Sequence, residues 1–344
     1  MSFTSGQAVP ANCGAVRSGN YNGIDLIKFI CAIMVFTVHI APFQEGAFPL
    51  AGVLNYGLQN HICRLAVPFF FVCSGFFLFG KAEWNALPLD TLRSYCFRIL
   101  RLIGTWKLIL VVGGTGHLWY LGATVVAVAL LWLLLHWGMK PAALWLVAAG
   151  LYLIGLLGDA YYGIIEPLRS ISWVNALMKG YEFLYRYTRN GVFMGFIFVL
   201  LGASIAHSKK KLRPGVALIG FLGSMLCMFA EVFLLRRLDI PQDYNMYVFL
   251  VPSAFFLFSF ARGLELKDRP IYKQLRTVGV LAYFVHLIVD KLVKFGLLYL
   301  GNALGHSLGA LQYIVTFLTT FAVAIGFARL ANREKYRWLQ FLYT

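Results

Sequence analysis

Gly23-Ile24-Asp25-Leu26-Ile27-Lys28-Phe29-Ile30-Cys31-Ala32-Ile33-Met34-Val35-Phe36-Thr37-Val38-His39 is an apolar run broken by three ionisable side chains, and its reading decides the fold. His39 stands eleven residues after Lys28. Eleven helical steps of about 100° return to within about 20° of the start, so both side chains share one face. Asp25 falls within about 40° of His39 on the same count. The run predicts a membrane helix carrying an acid, a base and an imidazole on one stripe. Ionisable groups at membrane depth are costly, face a cavity or a partner, and mark a functional site.

The rest of the chain has the same character. Of its 344 residues, 60% are apolar and 13% charged, against about 25% charged in an ordinary soluble domain. The expected fold class is therefore all-α, a polytopic transmembrane helical bundle. A span needs about 20 mostly apolar residues. Segments near 24–42, 62–80, 99–114, 118–136, 141–158, 191–207, 214–235, 244–261, 277–299 and 309–328 give about ten spans. Residues 1–20 read as a polar N-terminal tail, 21–331 as the transmembrane domain and 332–344 as a basic cytoplasmic tail. The tail lacks the basic start and apolar core of a signal peptide, so the first hydrophobic segment is expected to act as an uncleaved anchor.

Charge placement supports this topology. The net charge of +16 fits cytoplasmic loops rich in Lys and Arg. No basic run interleaved with aromatics lies outside the hydrophobic segments, so no nucleic acid is expected as a partner. With both termini inside and ten spans, Lys81, Arg93, Lys209-Lys210-Lys211, Arg213, Lys267, Lys273 and Arg276 all fall on the cytoplasmic side. If the third segment, which is short and carries Lys107, did not cross, the Lys209–Arg213 cluster would lie outside. The six cysteines (Cys13, Cys31, Cys63, Cys73, Cys96, Cys227) form no C-x-x-C pair and mostly sit in apolar runs. They read as small core residues with no disulfide framework, and no metal is expected.

Five further patterns carry polar chemistry. Arg98 and Arg101 are neighbours on a helix face. On spacing alone they read first as a positive-inside anchor, and second as a phosphate clamp, since the guanidinium fork matches phosphate oxygens. Arg64-Leu65-Ala66-Val67-Pro68-Phe69-Phe70-Phe71-Val72-Cys73-Ser74-Gly75 opens the second segment. Arg64 is an interface anchor or a pore-mouth cation, Ser74 a packed residue or a buried donor, and Pro68 with Gly75 permits a kink. His117-Leu118-Trp119-Tyr120-Leu121 starts the fourth segment after Gly113-Gly114-Thr115-Gly116. Tyr283, His286, Asp290 and Lys294 share a stripe of the ninth, with Asp290 able to pair with Lys294 or His286. The longest connection, 159–190, holds Tyr161, Tyr162, Trp173, Tyr181, Phe183, Tyr185 and Tyr187 beside charges. It is either a cover over an outward pocket or an interfacial aromatic belt.

Taken together, Lys28-x10-His39, Arg64 to Gly75, Arg98-x-x-Arg101, His117-Leu-Trp-Tyr-Leu and Tyr283-Phe-Val-His286 resemble the acyltransferase 3 family of integral membrane proteins over nearly the whole chain. Gly158-Asp159-Ala160-Tyr161-Tyr162-Gly163-Ile164 and Tyr187-Thr188-Arg189-Asn190-Gly191 resemble the membrane part of the membrane-bound serine racemases of vancomycin-resistance clusters. Their racemase domain is expected to be absent, since the residues up to Thr344 leave no room for a pyridoxal-phosphate barrel. One departure is a short stretch: fifteen residues separate Arg101 from His117, where family members usually have more.

The family resemblance implies an enzyme of the bacterial cytoplasmic (inner) membrane. It would move an acyl group, most often acetyl, from cytoplasmic acetyl-CoA to a hydroxyl of an extracytoplasmic glycan or other envelope acceptor. His39 would be the catalytic histidine, Lys28 its cationic partner and Asp25 an electrostatic neighbour. Arg98 and Arg101 would hold the CoA phosphates. Arg64, Ser74, His117, Trp119, Tyr120, Arg189, Asn190 and His286 are the expected pocket lining. The chemistry is consistent: a neutral imidazole can take a hydroxyl proton, and a fixed donor can stabilise the oxyanion. The rival reading is an amino-acid (serine) transporter, or a non-catalytic membrane domain related to those racemases.

Overall fold

The computed structural model describes residues 21–43, 49–110, 114–184, 187–304 and 309–344. The expected N-terminal tail with Cys13, and Gly113, Tyr185 and Arg186, lie outside the described residues. Among the described residues there is no strand. The helices are α1 (Asn22–His39), α2 (Ala51–Asn60), α3 (Ala66–Phe79), α4 (Leu89–Ile109), α5 (Trp119–His136), α6 (Pro141–Leu157), α7 (Tyr162–Ile165), α8 (Ser172–Leu184), α9 (Phe196–His207), α10 (Pro214–Arg237), α11 (Leu250–Gly263), α12 (Pro270–Leu304) and α13 (Gly309–Ala331).

Each of the ten expected segments falls on a helix. Among the described residues, five helical stretches are long and apolar enough to cross a membrane: Asn22–His39, Ala51–Phe79, Gly116–His136, Pro214–Arg237 and Leu311–Ala331. A sixth is Pro141–Leu157 with Tyr162–Ser170, if that pair, bent by 81°, is one span. Gly191–His207 and Leu250–Gly263 are apolar but shorter.

Several boundaries differ from the expected ones for identifiable reasons. The third segment is the second half of α4, an amphipathic helix that begins ten residues earlier than expected, at Leu89. Its buried residues Leu92, Ile99, Leu102 and Trp106 repeat at offsets of 7, 3 and 4, one narrow stripe. The second segment is preceded by α2, joined through a 3-10 turn at Ile62–Leu65. The eighth segment becomes helical only at Leu250, because Asn245, Met246, Val248 and Phe249 give their N–H groups to the side chains of Asp159 and Glu231. The connection 159–190 is largely helical, holding α7, a 3-10 turn at Glu166–Ser170 and α8. Its cation Arg169 pairs with Glu182 at 2.7 Å.

Packing places α1 in the middle, against α3, α11 and α12. Its buried side chains are Ile24, Ile27, Cys31, Ala32, Val35 and Phe36. The tightest pair is α3 with α9. A Cβ at Gly75 would lie 2.0 Å from the Val199 carbonyl oxygen, and one at Gly202 would lie 2.0 Å from that of Val72. Reciprocal glycines let the two backbones touch, as small residues do in membrane bundles. Gly75 is thus a crossing point, and Pro68 sits in the first turn of α3, where its missing N–H leaves no bond unmade. No kink is needed at either.

Candidate functional site

The register of α1 carries its ionisable stripe between two different environments. Near its start, Asp25 and Lys28 face a cavity of about 710 Å³. Lys28 lies 4.6 Å over the Phe77 ring, and Asp25 pairs with Arg276 Nη1 at 3.5 Å. At its end, His39 meets two other histidines. Gln59 of α2 donates to the carbonyls of Thr37 and Val38 at 3.0 and 3.1 Å. These bonds satisfy the last turn of α1 and fix the backbone from which His39 projects.

The cavity runs between α1, α3, α4, α5 and α12. Its cations are Lys28, Lys81, Arg98, Lys273 and Arg276; its hydroxyls include Ser74, Tyr95, Tyr120, Thr124 and Tyr283. Among the described lining residues, five cationic side chains against one acidic side chain, Asp25, give it a surplus of positive charge suited to an anion. Arg98 is exposed on this wall, 5.5 Å from the Tyr95 ring. Arg101 is turned away from it and lies 4.4 Å over Phe341. Of the two arginines singled out in the sequence, Arg98 lines this cavity, and Lys81, Lys273 and Arg276, which the sequence offered only as topology signals, line it too. Arg276 and Lys273 come from the start of α12, more than 170 residues from Arg101 in sequence, and only folding brings them in.

The inner wall of the cavity is Tyr120 and Tyr283, their rings 6.3 Å apart. Directly behind Tyr283 sits His117, at 5.4 Å between rings. Tyr283 donates its hydroxyl to the His117 carbonyl at 2.7 Å. His117 follows a turn at Gly114, whose φ of +87° is a conformation glycine adopts without strain. His117 stands 5.2 Å from His286 and 6.5 Å from His39, and His39 stands 5.2 Å from His286. The structure therefore gathers three expected residues from α1, α12 and the turn before α5.

Their exposures differ. His117 and His286 are 3% and 1% exposed, whereas His39 is open on one side. Both nitrogens of His117, and Nε2 of His286, are buried without a hydrogen-bond partner. Buried polar atoms left unpaired are rare and point to a ligand or a function. Asp290 does not pair with His286; Lys294 at 2.7 Å and Gln312 at 2.9 Å hold it.

Of the remaining expected residues, Arg64 and Arg189 lie toward the His39 end. Arg64 donates to Asn245 Oδ1 and, at 2.7 Å, to Asn60 Oδ1. Arg189 reaches the same Asn245 oxygen at 3.5 Å and Asp243 at 3.9 Å, and lies 5.8 Å from the Trp119 ring. Asn245 is in turn held by Asp159, which accepts from Asn245 N, Asn245 Nδ2 and Met246 N. Burial, and secondarily Asp243, push the Asp159 carboxyl up to about 6 despite these bonds. Both arginines are close enough for their charges to reach His39. Asn190 is engaged elsewhere. It caps a single π-helical turn, Gly191–Gly195, accepting from Val192 N and Phe193 N and donating to Tyr187 O. Ser74 donates to Phe70 O on the cavity wall. Among the described residues no group of three His, Cys, Asp or Glu side chains is set to hold a metal ion.

Residues 21–329 match the family described as acyltransferase domain. Among characterised relatives, an amino-acid racemase of Enterococcus faecalis is 31% identical over 287 residues, covering 77% of this chain and 38% of the relative. A serine/alanine racemase of Enterococcus gallinarum is 30% identical over 346 residues, covering 92% of this chain and 47% of the relative. The chain thus spans less than half the length of these relatives. No solved structure matches the chain significantly.

Proposed function

Because the chain belongs to the acyltransferase domain family of membrane proteins, we propose that it takes an acetyl group from cytoplasmic acetyl-CoA and transfers it to a hydroxyl of an extracytoplasmic glycan or envelope acceptor. One observation carries the reading: a cation-lined cavity and a cluster of three histidines lie on the two sides of Tyr283. The CoA phosphates bind Arg98, Arg276 and Lys273 at the mouth, with Lys28 near them. The pantetheine arm extends past Tyr120 and Tyr283 to bring the thioester to the histidines.

At the thioester, the bare nitrogen of His39 takes the hydroxyl proton as the hydroxyl oxygen attacks the carbonyl carbon. The C–O bond forms, the C–S bond breaks, and His39 returns the proton to the CoA sulfur. The His117 ring supplies an N–H to the developing oxyanion, while Arg64 and Arg189 frame the side from which the acceptor enters. The protein lies in the bacterial inner membrane with both termini in the cytoplasm and about ten spans.

The test is CoA release from acetyl-CoA by protein in lipid, with a crude bacterial envelope glycan fraction as acceptor. Wild type turns over, His39→Ala does not, and Arg98→Ala/Arg276→Ala needs more acetyl-CoA. The racemase names of the relatives favour a second reading, a serine transporter. Vesicles that take up serine equally well with His39→Ala, and consume no acetyl-CoA, would establish that reading instead.

A further inference from the structure

His286 is held by the backbone of its own helix. Its Nδ1 lies 2.8 Å from the Tyr283 carbonyl oxygen and 3.3 Å from that of Ala282. A carbonyl only accepts, so Nδ1 carries the hydrogen, and in the neutral ring Nε2 is a bare lone pair. That lone pair is buried and unpaired. Asp290, one turn further along α12, does not compete for it, being held by Lys294 and Gln312.

The His39 ring is placed to fill the vacancy. Its centre is 5.2 Å from that of His286, with 32° between the planes. Two imidazoles sharing one straight N–H···N bond of about 2.9 Å have centres about 5.1 Å apart, since each nitrogen lies roughly 1.1 Å from its ring centre. The bond is not made in this structure; His39 is exposed, and a turn about its Cβ–Cγ bond would aim a ring nitrogen at His286. His117 meets His286 at the same separation but at 73°, an edge-to-face ring contact.

We infer that His286 is the positioning residue of His39: its Nε2 accepts the N–H of His39 and so fixes which His39 nitrogen is left bare for the acceptor hydroxyl. The chain of groups is Tyr283 carbonyl, His286, His39, hydroxyl. When His39 takes the hydroxyl proton, His286 keeps the ring oriented and stabilises its charged form. No proton moves onto His286. The inference rests on the reading of His39 as the base.

The test compares kcat and the acetyl-CoA KM for wild type, His286→Leu, His286→Gln and His39→Ala in lipid with a crude envelope glycan fraction. His286→Leu lowers kcat about 100-fold while the acetyl-CoA KM stays within about threefold, because donor binding is untouched. His286→Gln, whose side-chain oxygen stands near the place of Nε2, recovers about tenfold of that loss by restoring an acceptor. Wild-type kcat in His286→Leu overturns the inference, and so does a His286→Gln variant as inactive as His286→Leu. If His39→Ala retains kcat, or if wild type releases no CoA, the reading of His39 as base fails and the inference with it. If only His39→Ala is inactive, the base stands and the positioning role falls.

Discussion

The Tyr283 hydroxyl is bonded to the His117 carbonyl at 2.7 Å, so one side chain both lines the cavity and anchors the turn that presents the histidine behind it. The cation-lined cavity and the histidine cluster are thereby mechanically linked. Tyr283→Phe keeps the ring and loses one hydrogen bond, about 1 kcal/mol. The expected result is a kcat reduced several-fold with a nearly unchanged acetyl-CoA KM, measured by initial rates in lipid.

The cations of the cavity are not equivalent. Arg98 and Arg276 face it, whereas Arg101 lies on Phe341. Arg98→Ala and Arg276→Ala each raise the acetyl-CoA KM about tenfold, the effect of losing one charge-assisted bond of about 1.5 kcal/mol. Arg101→Ala raises it less and lowers thermal stability, because it uncovers Phe341. A larger KM effect in Arg101→Ala would contradict the placement.

Much of this was legible before folding. The eleven-residue spacing of Lys28 and His39 placed both on one face, and the structure puts Lys28 on the cavity and His39 in the cluster. His117 stood out after a glycine-rich turn and His286 as an imidazole in an apolar run, and both converge on His39. Arg276 and Lys273 did not stand out, because basic residues at a helix start read as topology signals until α12 packs on α1. Asn190 is expected in the pocket lining through the family resemblance of the Tyr187–Gly191 stretch. Its side chain is consumed by the local geometry of Gly191–Gly195, which hydrophobic patterning does not encode. The third segment misled in length, since the apolar stripe of α4 is narrow and continues back through Leu92.

Asn190→Ala should therefore behave as a lost helix cap. It lowers stability by about 1 kcal/mol, while Asn190→Asp, which keeps the accepting oxygen, retains most of it. Thermal unfolding of the two variants in detergent checks this, and a changed acetyl-CoA KM is not expected in either.

The crossing of α3 and α9 tolerates no side chain at its two glycines. Gly75→Ala and Gly202→Ala each put a methyl group against a carbonyl oxygen. Overpacking of this kind costs roughly 1–3 kcal/mol. Both variants should unfold at lower temperature than wild type, and Gly104→Ala, where a Cβ meets nothing within 4 Å, should not.

Asp159 gives the stability a pH dependence of known sign. Its carboxyl stands at about 6 in the folded protein against 3.8 for the unperturbed group. The folded state therefore holds its proton to higher pH than the unfolded state. That contribution is fully present below about pH 4 and is lost as pH rises through about 6. Asp159→Asn cannot titrate, so the stability advantage of wild type over this variant should shrink between pH 5 and pH 7.5 by roughly 1.4 kcal/mol. A constant difference across that range would contradict the burial of the carboxyl.

The central claim is that an acyl group passes from a donor in the cation-lined cavity to an acceptor at His39. The most direct measurement is transfer of radiolabelled acetyl from acetyl-CoA to a crude envelope glycan fraction by wild type and His39→Ala in lipid vesicles. The account predicts label in the glycan with wild type and none above background with His39→Ala, both proteins unfolding at the same temperature. Equal labelling by the two, or no labelling by wild type, would contradict it.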